Sequence, residues 1–198
     1  MMDTLAFVIT TVALLVFVVF ITWYTTYYIT TNMLNTINYV ESLVTSALAH
    51  EFQNAISIAS MGDVVGSFNY TLMLPTAAVP IQGMALNYYI TLYPKVGQVN
   101  NGNHLVLLYA NVTVTMTMGP ISRSVTVNNV TVYSSAQPYT IIAYNCTNPK
   151  NPNTYYSKTI VNPTWVSNVP PNLYDYNCTW SSAQVQMGEA IIEVEKGS

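Results

Sequence analysis

Between Asp3 and Glu41 the chain carries no charged residue, and within that gap Leu5 to Ile21 reads LAFVITTVALLVFVVFI. Only Thr10 and Thr11 interrupt the apolar run, and a threonine hydroxyl can bond back to the helix carbonyl one turn earlier. As a helix the run spans about 25 Å, a little short of a bilayer hydrocarbon core of about 30 Å. Trp23, Tyr24, Tyr27 and Tyr28 make up the difference, because amphipathic aromatics collect at the membrane–water interface. Burying some twenty such side chains contributes on the order of tens of kcal/mol gross, so lipid or neighbouring helices, not water, must surround them. Leu5, Phe7, Val8, Val12, Leu15, Val16, Val19, Phe20, Trp23 and Tyr27 are the candidate membrane and self-association residues.

A secretory signal would need a cationic start, a shorter apolar core and a small-residue cleavage site. Met1, Met2 and Asp3 supply no cation, and Trp-Tyr-Thr-Thr-Tyr-Tyr is a poor cleavage context. The first cation of the sequence is Lys95, so flanking Lys and Arg give the span no orientation. Removal of a basic leader ahead of residue 1 would account for that silence.

Past the aromatics, Ile37, Val40, Val44, Leu48, Phe52, Ala55, Ile56 and Ala59 recur every three or four residues, with Asn38, Glu41, Thr45, Gln53 and Asn54 opposite. With neither Gly nor Pro before Gly62, this predicts one helix over residues 3–60, about 85 Å long. Its second half should lie on the domain that follows.

From Gly62 the period becomes two. Val112, Val114, Met116 and Met118 alternate with threonines, Gly119-Pro120 turns the chain, and Val125, Val127, Val130 and Val132 follow with the phase broken at Asn128-Asn129, as a bulge or tight turn would break it. Further strands are expected over Ser67–Leu74, Leu86–Tyr93, His104–Ala110, Tyr139–Tyr144, Thr159–Val166 and Val185–Glu195. The Asn-, Pro- and Tyr-rich stretch Asn145–Asn177 reads as a long surface loop. The fold class is therefore α+β: a long N-terminal helix over residues 1–60, then an extracellular, sandwich-like all-β domain over 61–198.

Only 7% of residues are charged, against about a quarter in ordinary soluble domains. Asn, Thr, Ser and 16 Tyr wet the surface instead, which suits dense packing against copies of itself, or an acidic or hot medium. No basic stripe invites nucleic acid. His50-Glu51 opens like a zinc-protease helix, but Asn54 stands where the second histidine belongs. Glycine-rich phosphate loops and nucleophile elbows are absent from the sequence, and Glu193 and Glu195 read as a solvated strand edge beside Glu189. The expectation is a non-enzyme without cofactor or metal.

Cys146 and Cys178 sit in identical Asn-Cys-Thr triplets. Outside the cell they would close a disulfide loop of about 30 residues, worth roughly 3–4 kcal/mol, the alternative being two free thiols. Asn69, Asn111, Asn129, Asn145 and Asn177 head N-glycosylation sequons, all beyond the helix; Pro163 disqualifies Asn162.

A hydrophobic helix running on as an amphipathic one into a Thr/Asn/Tyr-rich β domain resembles the plan of archaeal type IV pilins. The resemblance covers the whole chain and rests on architecture, with no signature motif. It implies leader removal by a peptidase, storage in the membrane, extraction by an ATPase-driven platform, and a homo-oligomeric helical filament at the cell surface. Leu5–Ile29 would form its core and the β domain its sheath, with adhesion or cell–cell contact as the role. The acid that bacterial pilins place near the helix start is missing: Leu5 stands in that region and Asp3 is the sole candidate. The competing expectation is a monotopic anchored protein, such as an S-layer-binding or filament-motor accessory subunit, that never polymerises.

Overall fold

A computed structural model of the chain describes residues 2–61, 66–75, 83–100, 103–134, 139–148, 151–161 and 177–196. Its first element is a single helix, α1 (Met2–Ser60), matching the expected span. Among the described residues eight strands follow: β1 (Ser67–Thr71), β2 (Met84–Asn100), β3 (Asn103–Met118), β4 (Ile121–Ser134), β5 (Tyr139–Asn148), β6 (Asn151–Val161), β7 (Cys178–Ser181) and β8 (Ile191–Lys196). A short helix, α2 (Ser182–Gln186), sits between β7 and β8. The class is α+β, as the change of period from 3.6 to 2 requires.

All strand pairings are antiparallel and join one sheet in the order β1-β8-β5-β7-β2-β3-β4, with β6 also on β5. β5 pairs with β8 over Tyr139–Tyr144 and with β7 at Thr147, so that β7 and β8 follow one another along the same side of β5 and α2 bridges them. β7 in turn pairs with β2 from Tyr89 to Leu92, which links the two halves of the sheet.

The inner face is built by alternation. Tyr88, Ile90 and Leu92 of β2, Leu108, Ala110, Val112, Val114 and Met116 of β3, Ile141 and Ala143 of β5, and Ile192 and Val194 of β8 are buried. Against them lies the stripe of α1, whose Met33, Ile37, Val40, Val44, Leu48, Phe52, Ala55 and Ala59 are buried, with Ile56 partly so. α1 packs on β3, β4 and β8. Each Leu- or Phe-sized side chain so buried contributes about 1.5–3 kcal/mol. Glu51 adds a polar latch: its carboxylate accepts from the Tyr70 hydroxyl at 2.9 Å and the Met73 amide at 3.3 Å, tying the stretch through and after β1 to the helix.

The phase break at Asn128-Asn129 is a bulge. Ala110 pairs with Val130 and Val112 with Val127, so two residues of β4 face Asn111 alone, and Asn129 adopts φ 62. Asparagine tolerates that left-handed backbone better than other non-glycine residues. Gly119, at φ 53, holds the first central position of the two-residue β3–β4 turn, where a positive φ matches the strand twist.

Three sequence expectations are corrected. His104–Ala110 and Asn111–Met118 are one continuous strand, β3. Residues 145–148 and 151–158 are strand, not loop, because pairing of β6 with β5 satisfies their backbone; the strand expected at Thr159–Val166 is present over 159–161 as the end of β6, and residues 162–176 lie outside the described residues. Val185 is not in a strand: Ser181 accepts from the Gln184 amide, and Gln184 returns its side-chain carbonyl to the Ser181 amide at 2.9 Å, a capping box that starts α2.

Candidate membrane and assembly surface

The two halves of α1 differ in what covers them. From Met33 onward one face is buried, while Leu5 through Tyr28 pack against nothing among the described residues of the domain. The named residues are all exposed, from Val12 at 53% to Phe7 at 73%. Leu14, Phe17, Ile9 and Val18 on the other sides are exposed too, so this half of the helix has no inward face. The structure therefore singles out the whole cylinder and not the chosen ten residues. It is a helix long and apolar enough to cross a membrane.

Most of its threonine hydroxyls are satisfied within the helix. Thr11, Thr22, Thr26 and Thr31 donate to the carbonyls of Phe7, Val18, Thr22 and Tyr27 at 2.8–2.9 Å, and Thr10 donates to Ala6. Bonded within the helix, these hydroxyls present no unpaired donor to lipid or apolar neighbours. Phe20, Trp23, Tyr24 and Tyr27 form a ladder of ring contacts 6.0–6.5 Å apart. The ladder ends where Ile29 begins to be covered, so the β domain sits directly beyond the aromatic collar.

Over β7, β2, β3 and β4 the domain's outer face is hydroxyl-rich. Thr91 bonds Thr179, Thr113 bonds Thr126, and Thr115 donates to Ser124, each across a strand pair at 3.0–3.2 Å. Tyr93, Tyr109 and Asn111 continue this face, with the two tyrosine rings stacked at 6.0 Å. Burial pushes the Tyr93 phenol up from its ordinary value, and the neighbouring Asn129 backbone pulls it back in part.

The cysteines are joined: Cys146 and Cys178, both fully buried, form a disulfide with Cα atoms 5.0 Å apart. Trp180 packs fully buried nearby and donates its indole N–H to the Tyr144 carbonyl at 2.8 Å.

Glu193 lies on β8 between β1 and β5 and so is not at a sheet edge. Its carboxylate accepts from Tyr144, and hydrogen bonds from Ser67 and then Tyr144 hold it below the usual carboxylate range against a smaller opposing effect of burial. The same bond raises the Tyr144 phenol. His50 is exposed and bonded to Asn54 at 3.1 Å. Among the described residues no three His, Cys, Asp or Glu side chains converge as a metal site.

No protein-family model, curated protein or solved structure matches this chain.

Proposed function

We propose that the chain is a structural subunit of an extracellular, type IV pilus-like filament of the archaeal kind, serving adhesion or cell–cell contact. Before assembly the first half of α1 anchors it in the membrane; afterwards the same half bundles with its copies. The observation that carries this reading is the division of one helix near Met33: below it a stripe seals the domain, above it an apolar cylinder is bare on every side. A helix that served only to complete the domain would need one apolar stripe, and a bare cylinder needs apolar surroundings all round.

Both environments meet that need. Lipid tails and neighbouring Leu, Val and Phe side chains are similarly apolar, so moving from bilayer to bundle costs little per residue. Repeating one heterologous contact between subunits then grows an open helix. The disulfide fits an oxidising exterior, and a neutral Thr/Asn/Tyr face lacks the charge that would keep closely packed copies apart.

The test is direct. Full-length protein extracted from membranes and freed of detergent should yield filaments in electron micrographs, with residues 5–29 protected from proteolysis. Single particles that stay on vesicles would replace this reading with that of a non-polymerising anchored subunit.

A further inference from the structure

The five Asn-x-Thr sequons look alike in sequence, but the fold treats them differently. N-glycosylation needs the asparagine side-chain nitrogen as nucleophile and the hydroxyl two residues on for recognition, so a sequon is usable on the folded chain when both are free.

Three sequons are tied up. Asn145 is partly buried and donates its side-chain N–H to the Glu189 carbonyl at 3.2 Å, and its Thr147 hydroxyl donates to the Thr179 carbonyl at 2.8 Å. A sugar on that nitrogen would have to displace the 187–190 segment. Asn177 is partly buried beside the disulfide, and its Thr179 hydroxyl bonds Thr91 at 3.0 Å. Asn111 is partly buried and fixed at the bulge, its Oδ1 accepting from the Asn129 amide at 3.0 Å and the Tyr93 hydroxyl at 3.2 Å, while Thr113 bonds Thr126.

Two are open. Asn69 lies exposed in β1, which ends the sheet on one side, and Thr71 is exposed with it. Asn129 lies exposed in the β4 bulge, at the sheet's other end. Its Oδ1 accepts from Tyr93 at 2.7 Å, which leaves its Nδ2 without a partner among the described residues; Thr131 is likewise exposed and unbonded there.

We infer that Asn69 and Asn129 are the glycan acceptors of this protein, and that Asn111, Asn145 and Asn177 are structural asparagines that only resemble acceptors. The inference rests on the extracellular placement of the β domain given above. The donor is a sugar linked to a polyprenyl phosphate or diphosphate. Asparagine Nδ2 attacks the anomeric carbon, a C–N bond forms, the sugar–phosphate C–O bond breaks with its electrons leaving on phosphate, and Nδ2 gives up one proton. The glycans would hydrate the two lateral ends of a sheet whose outer face is nearly uncharged.

Glycopeptide mass spectrometry on full-length protein from its native cells tests this. The expected result is glycan on the peptides carrying Asn69 and Asn129 and bare peptides for the other three. Thr71→Ala and Thr131→Ala, both at exposed sites, should each remove one glycan mass from the intact protein, and Thr113→Ala none. Glycan on Asn111, Asn145 or Asn177, or bare Asn69 and Asn129, overturns the inference. Electron micrographs of the same sample separate the two readings: filaments with bare asparagines retire the glycans alone, and glycosylated protein that never polymerises retires the filament alone.

Discussion

Val16→Asp isolates the apolar cylinder from the rest of the molecule. Val16 is 64% exposed and lies about 25 Å of helix before Met33, the first fully buried residue of α1. The β domain therefore loses no contact. An aspartate at the centre of a spanning helix costs about 2.5–3.5 kcal/mol on insertion scales, and the favourable valine contribution of about 0.3–0.6 kcal/mol is lost as well. At about 1.4 kcal/mol per decade, partition into membrane or bundle should fall by roughly two to three orders of magnitude. Two measurements read this: the membrane-bound fraction with filament yield by negative-stain microscopy, and thermal unfolding of the detergent-solubilised protein. Insertion and filaments should be lost while the melting temperature of the β domain stays put. Normal filaments from the variant would refute the reasoning, and so would a melting temperature lowered as far as by a core substitution.

Phe52→Ala should do the reverse: it empties a buried site on the sealed half of α1, costing about 3–5 kcal/mol in chemical unfolding, while Thr115→Ala on the outer face should stay within about 1 kcal/mol. Reduction of Cys146–Cys178, or Cys146→Ser with Cys178→Ser, should lower stability by about 3–4 kcal/mol, read as a shift in denaturant midpoint. Glu193 gives an acid limb: its folded pKa is depressed below 4.5, so its contribution is present above that value and is lost as pH falls through the lower folded one. Glu193→Gln should flatten the melting temperature's dependence on pH below 4.5, where the parent protein keeps falling. Burial pushes the Tyr88 phenol up to about 12, so folded protein should bind more protons than unfolded above pH 10, and stability should fall from there toward 12. In a spectrophotometric titration Tyr88 should ionise late, near 12, and Tyr88→Phe should remove that component.

The helix was legible because its signals are local. Its length needs only the absence of Gly and Pro, and its division needs only the change from uniform to periodic apolarity; the stripe begins one turn earlier than expected, at Met33, whose flexible side chain made a weak marker. The β4 bulge was legible for the same reason, since a phase break at Asn128-Asn129 is visible without a partner strand. A signal for α2 was present and outweighed: Ser181-Ser182-Ala183-Gln184 is a capping box, but the alternation toward Glu195 favoured a strand. β6 left a mark only at its end, residues 159–161, because the order of the rest comes from β5 beside it.

Composition and periodicity alone determined that some thirty residues need apolar surroundings, that one helix joins them to a β domain, and that two cysteines were available to close it. Only the tertiary structure decided which strands are neighbours, that β7 links the halves of the sheet, and which of five Asn-x-Thr sequons keep a free nitrogen and hydroxyl. The first set depends on each residue's own affinity for water and its spacing along the chain. The second depends on hydrogen bonds between residues such as Asn145 and Glu189, whose meeting no stretch of sequence encodes.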